Sequence, residues 1–199
     1  PQDLYGITSL YNFDGFDLNK RIALGDAMLN LKTFYGNSNE KYPTGFDNGQ
    51  FTKFDFDLFG LSSNLEWNEW KLRYSFVSVK VNSDLTKPLR TVWEQIAMQW
   101  PPANDLVTGL ESEGKKFRYH QIGVNYDNND WWFQSEYVRI SSDLMLVVNG
   151  ENAYASLGKR FGSLNLYGLL GYANPREPLL EIPLPAGLPE PFGSQLNYL

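Results

Sequence analysis

Apolar and polar residues alternate with period two along most of this chain, and short polar pairs interrupt the alternation at intervals. Period two is the mark of extended strands whose two faces meet different surroundings. Residues 13–24 place Phe16, Leu18, Ile22 and Leu24 on one face, with Asp17, Asn19 and Arg21 on the other. Gly25-Asp26 follows, and residues 27–36 return with Leu29, Leu31 and Tyr35 opposite Asn30 and Lys32. Residues 58–67 set Leu61, Leu65 and Trp67 against Ser62, Asn64 and Glu66. After Asn68-Glu69, residues 70–79 set Trp70, Leu72, Tyr74 and Phe76 against Lys71, Arg73 and Ser75. Residues 118–127 oppose Ile122, Val124 and Tyr126 to Gln121, Gly123 and Asn125. The stretch "NNDWWFQSEYVRISS" (128–142) opens on a polar turn, then puts Trp131, Phe133 and Tyr137 opposite Trp132, Gln134 and Glu136. Residues 152–161 oppose Ala153, Ala155, Leu157 and Phe161 to Asn152, Tyr154, Ser156 and Arg160. Gly162-Ser163 turns the chain into 164–173, with Leu164, Leu166, Leu170 and Tyr172 on the apolar face. The pattern predicts about eight antiparallel strands of roughly ten residues each, joined as four hairpins.

The connections are asymmetric. Those inside hairpins are tight, whereas those between hairpins are long: 37–53, 82–116, 143–151, and everything from 174 to 199. In an up-and-down sheet the two kinds fall at opposite ends. Trp67, Trp70, Tyr126, Trp131 and Phe161 gather at the trimmed end, where amphipathic rings would suit a water–hydrocarbon boundary. Short turns, long loops, an aromatic girdle and two-faced strands predict an all-β, up-and-down transmembrane β-barrel with apolar residues outward. Asp17, Arg21, Lys32, Glu66, Lys71, Arg73, Gln134, Glu136 and Arg160 would then line the lumen. Lys20 and Lys159 fall on the lipid side, where their stems would have to snorkel to an interface. A soluble sandwich or ligand-binding barrel also alternates, but its strands are usually nearer five or six residues.

Composition narrows the partners. A formal net charge of −6, with basic residues scattered singly, excludes a surface that tracks nucleic-acid phosphates. With no cysteine in the chain, neither a disulfide framework nor a thiolate metal site can form. No apolar run approaches the roughly 18 residues of a membrane-spanning helix, a limit that does not touch half-apolar barrel strands. Without an initiating Met or a signal peptide, the chain is expected to be a mature or truncated product.

Two stretches, "GVNYDNNDWWFQSEYVRISSD" and "AYASLGKRFGSLNLYGLLGYA", resemble the porin-like outer-membrane proteins of Gram-negative bacteria. Strands of that family carry variants of "LGxxYDxGxWFxxxEYxxxxSD" and "WYxTLGYRFGxxxPYxxYA". The likeness covers most of residues 11–174 and is sharpest from 117 to 174. It implies an outer-membrane location, contact with lipopolysaccharide, and passive diffusion of small hydrophilic solutes or ions. Family members are longer and usually close on a strand ending in an aromatic residue. This chain ends in the proline-rich "PLLEIPLPAGLPEPFGSQLNYL", so the resemblance implies one domain that is part of a larger barrel. Porins commonly form homo-oligomers, and no residue here demands one.

Catalytic and cofactor chemistry is thin, and neither an enzyme nor a cofactor is expected. His120 is the only histidine, so a histidine metal cluster is impossible and a Ser-His arrangement has one available base. Its outward position resembles that of outer-membrane phospholipases, but where they carry a serine two residues on, this chain has Ile122. "DNND" (127–130) imitates a calcium loop yet has Val138 where the twelfth-position Glu belongs, so it reads as a turn. Asp55 and Asp57 read as polar residues at a strand's wet end. In "LRTVWEQIAMQW", Leu89, Val92, Ile96 and Trp100 have helical spacing and predict a short helix that narrows the mouth or caps it. Two rivals to the channel follow from the same pattern: a non-conducting barrel serving as structural or adhesive scaffold, and a soluble ligand-binding barrel. Lumen width separates the first pair; detergent dependence separates the soluble case.

Overall fold

The computed structural model describes residues 13–43 and 51–176. They build one antiparallel sheet of eight strands whose spatial order follows the chain. The strands are β1 (Asp14–Leu24), β2 (Ala27–Pro43), β3 (Phe51–Trp67), β4 (Trp70–Val81), β5 (Lys116–Asp127), β6 (Trp131–Ser142), β7 (Gly150–Phe161) and β8 (Leu164–Pro175). All four expected hairpins are present. Their turns need backbone in the left-handed region, supplied by Gly25 (φ 62), Asn68 (φ 51), Asn129 (φ 73) and Gly162 (φ 61). At 127–130 the polar side chains hold the turn themselves. Asn128 Oδ1 accepts the N–H groups of Asp130 (3.2 Å) and Trp131 (2.8 Å), and Asp127 Oδ1 accepts that of Asn129 (3.0 Å). The four turns lie at one end of the sheet, the longer connections at the other.

Two expectations are corrected, and a third, the short helix, holds. The stretch 37–53, expected as a loop, is mostly strand: β2 runs on to Pro43 and β3 begins at Phe51. Its polarity misleads because the polar groups are satisfied across the strands: Asn37 Nδ2 donates to Asp55 Oδ1 (2.9 Å) and to Phe56 O (3.0 Å). The long connection expected over 82–116 holds the short helix that its spacing predicts, and its last residue, Lys116, already belongs to β5. It contains α1 (Lys87–Ala97), a 3-10 turn (Pro101–Ala103) and α2 (Asn104–Gly109). Trp93, Ala103, Leu106 and Leu110 form a small core of their own, while Leu89 and Val92 face outward. The helices pack on one another rather than on the strands. Buried Ser112 fastens the base, accepting the Leu85 N–H at 2.8 Å. Finally, the eight strands do not close: β1 and β8 are the two edges of an open sheet, and β8 is exposed along both faces. Asn174 and Pro175 complete β8; the rest of the 174–199 segment lies outside the described residues, apart from a bend at Arg176.

Candidate functional site

Strand register sorts the side chains onto two faces. Asp17, Arg21, Lys32, Glu66, Lys71, Arg73, Gln134, Glu136 and Arg160 share one of them, here the inner face. One cross-strand row runs Arg21, Asn30, Asn64, Arg73, Gly123, Glu136, Tyr154, Gly171, touching all eight strands. Neighbouring charges pair: Lys32 with Asp17 at 2.8 Å, Lys71 with Glu66 at 3.6 Å. Arg73 Nε donates to Asn64 Oδ1 at 3.2 Å, and Gln134 Nε2 to the Tyr154 hydroxyl at 2.7 Å. Such exposed pairs stabilise by about 0–1 kcal/mol each; their importance is the field they set. Arg160 does something different. Its guanidinium grips Asp127 with two bonds, 2.6 and 2.8 Å, and donates to Asn129 O at 3.2 Å, so it clamps two hairpin turns together.

The inner face is not polar throughout. Toward the loop end, Leu58, Val77, Val79 and Tyr119 form a buried cluster, with Phe34, Phe56, Phe117, Val138 and Ile140 packed around it. The boundary passes through Gln121, 5% exposed, whose Nε2 has no partner among the described residues. Aromatic rings fill the gaps that glycines leave on this face. Phe34 lies on Gly60 and Trp132 on Gly158, where an added Cβ would come within 2.1 and 2.3 Å of the ring. The inner face is therefore mainly polar in the turn half, apart from Met28 on β2 and Tyr167 and Leu169 on β8, and apolar in the loop half. Alternation alone does not reveal this cluster, although the switch is written in β4: Lys71, Arg73 and Ser75 give way to Val77, Val79 and Val81.

Trp67, Trp70, Tyr126, Trp131 and Phe161 all lie on the opposite, outer face near the turns. Trp67 sits across from Trp70, which stacks obliquely on Tyr126 at 4.7 Å. Lys159 is held among them, its Nζ 4.8 Å from the Trp131 ring and 5.1 Å from Phe161. Five outward positions on β1 (Phe16 to Leu24) match five on β8 (Leu164 to Tyr172), but pairing puts Leu24 level with Gly168, four residues into β8. The apolar band thus crosses the strands obliquely. It measures about 27 Å along a strand at 3.4 Å per residue. Lys20, unlike Lys159, stands in mid-band opposite Leu31. His120 is on the same face, its Nδ1 3.3 Å from the Tyr74 hydroxyl and its ring 4.7 Å from Phe76.

Four basic residues, separated along the chain, meet at the loop end of the outer face, where Asp57 also faces Lys80. Lys80 pairs directly with Lys116, Arg118 follows on the same face of β5, and Arg139 lies diagonally beside it on β6. Among the described residues, no group of His, Cys, Asp and Glu side chains could hold a metal ion, and no helix is long and apolar enough to cross a membrane. No protein-family model matches this chain, and no curated protein or solved structure matches it.

Proposed function

We propose that the eight strands are wall of a porin-like β-barrel in the outer membrane of a Gram-negative bacterium, passing small hydrophilic solutes or ions by passive diffusion. The opposition of the two faces carries this reading. One bears nine charged or polar groups, and the other exposes large apolar side chains such as Leu170, at 80% exposure. Water cannot favour that outer surface. Hydrocarbon would cost about 2–4 kcal/mol for each Lys or Arg at mid-depth of the inner face, so that face requires water. An open sheet edge is also untenable in lipid, where every backbone group needs a partner. In the membrane β1 and β8 therefore pair with each other or with further strands.

A second reading has its own observation. The apolar cluster around Leu58 and Tyr119 fills the loop half of the inner face, as the core of a plugged, non-conducting scaffold would. Single-channel conductance of the detergent-purified full chain in a planar bilayer, with its mass, separates the two. Steady ohmic steps support the channel; a silent bilayer from correctly inserted protein supports the scaffold. Protein that stays monodisperse without detergent would contradict both and return the soluble barrel.

A further inference from the structure

We infer that Trp132 and Tyr167 form a stacking platform for neutral saccharide rings on the inner face of β6 to β8. The inference rests on the channel reading above and names the class of solute that this wall favours. Register puts Trp132, Gly158 and Tyr167 in one cross-strand row. Because Gly158 has no side chain, the indole lies across β7 and comes within 5.7 Å of the Tyr167 ring, at an interplanar angle of 45°. One indole face packs on the sheet and the other is turned away from it. The indole Nε1–H is donated to Asn165 Oδ1 at 3.2 Å, which fixes the orientation of the ring. Filling the gap over Gly158 accounts for Trp132, but it leaves Tyr167 67% exposed, with Leu169 at 60% on the same face. A strand paired to the free edge of β8 would lie beside these side chains and not over them.

The groups around the rings select the ligand. The Asn125 amide, the Glu136 carboxylate and the Tyr167 hydroxyl have no hydrogen bond or ion pair among the described residues. The charges nearest the rings are already paired, Arg160 to Asp127 through two bonds and Lys71 to Glu66 at 3.6 Å. Glu136 stands four residues along β6 from Trp132, about 14 Å at 3.4 Å per residue. That is too far for one small cation to meet both carboxylate and indole, and it is a span for an oligosaccharide. A saccharide matches both parts of the surface. Its C–H face lies on an aromatic ring, and its hydroxyls, each donor and acceptor, meet amide, carboxylate and phenol. A simple ion has no use for the rings, and an apolar solute would leave the polar groups unpaired.

The test is single-channel current of the full chain in a planar bilayer, before and after addition of maltohexaose, a neutral glucose oligomer. The expected result is saturable, reversible interruption of the current. Tyr167→Ala should raise the apparent Kd by about two- to tenfold, and Tyr167→Phe, which keeps the ring, by less. Ohmic steps from Tyr167→Ala show that this variant folds. Polyethylene glycol of the same mass has no ring faces and should give no saturable interruption. Open channels that maltohexaose leaves uninterrupted, that both polymers interrupt alike, or whose block Tyr167→Ala leaves unchanged would overturn the platform and leave the channel intact. A silent bilayer would overturn the channel. Calorimetric titration of the detergent-purified chain with maltohexaose then decides the platform alone: binding heat weakened by Tyr167→Ala upholds it, and no heat overturns it.

Discussion

The turn half and the loop half of the inner face share strands, register and alternation, yet they differ in content. Near the turns, Lys71, Arg73, Glu66 and Glu136 make the face charged and partly ion-paired. Near the loops, the same face of the same strands presents Val77, Leu58, Tyr119 and Ile140, and these bury one another. Alternation thus decides which face a residue takes, while the residue itself decides what that face can do. In the barrel wall proposed above, the first would form a polar vestibule and the second an apolar constriction or seal.

The sharpest way to break the comparison is to place one charge in each half. Val77→Asp strands a carboxylate inside the cluster and should destabilise the protein by about 3–5 kcal/mol. Ser75→Asp, one inner position nearer the turns, should change stability by less than about 1 kcal/mol. Urea titration of tryptophan fluorescence in lipid vesicles measures both, and equal losses would dissolve the distinction between halves. Turning to the outer face, Leu72→Arg should cost about 2–4 kcal/mol in lipid, and Lys20→Leu should gain a comparable amount by removing a mid-band charge. The same titration reads these changes; no gain at position 20 would place it outside the hydrocarbon. Gly60→Ala drives a methyl group into the Phe34 ring, and overpacking of this kind costs about 1–3 kcal/mol. The smallest effect on stability belongs to Glu136→Lys in the vestibule, expected to stay within about 1 kcal/mol. Its readout is reversal potential in a salt gradient, which should move toward anion preference; an unchanged potential would show that ions do not pass this row.

Much of the fold was legible because the strands are long, their period is strict, and Gly-Asp, Asn-Glu and Gly-Ser mark turns whose backbone requires those residues. The face of every proposed lumen and girdle residue followed from parity alone. Three features were not legible. The extensions of β2 and β3 hide behind polar residues such as Asn37, whose side chain finds Asp55 and Phe56 O across the sheet rather than nearby in sequence. In α1 the regular spacing of Leu89 and Val92 points to the wrong face, because Trp93 is large enough to choose the buried side. The cationic group on the outer face joins residues from separate strands, 36 positions apart in the case of Lys80 and Lys116, so only register could assemble it. The apolar cluster is a fourth case of another kind: its signal stands in the valines of β4, where the alternation continues while the inner residues change from charged to apolar.

In the membrane reading proposed above, the outer face meets hydrocarbon and the turn half of the inner face meets water. Because the chain has no cysteine, single-cysteine spin labels can be introduced without removing any native thiol. Labels at 72, 122 and 170 on the outer face, and at 73, 123 and 136 on the inner face, would be compared in reconstituted vesicles. Collision rates with oxygen and with a water-soluble nickel complex should separate the two sets, oxygen dominating outside and nickel inside. Labels on both faces that respond equally to the nickel complex would contradict the account, because the sheet would then stand in water.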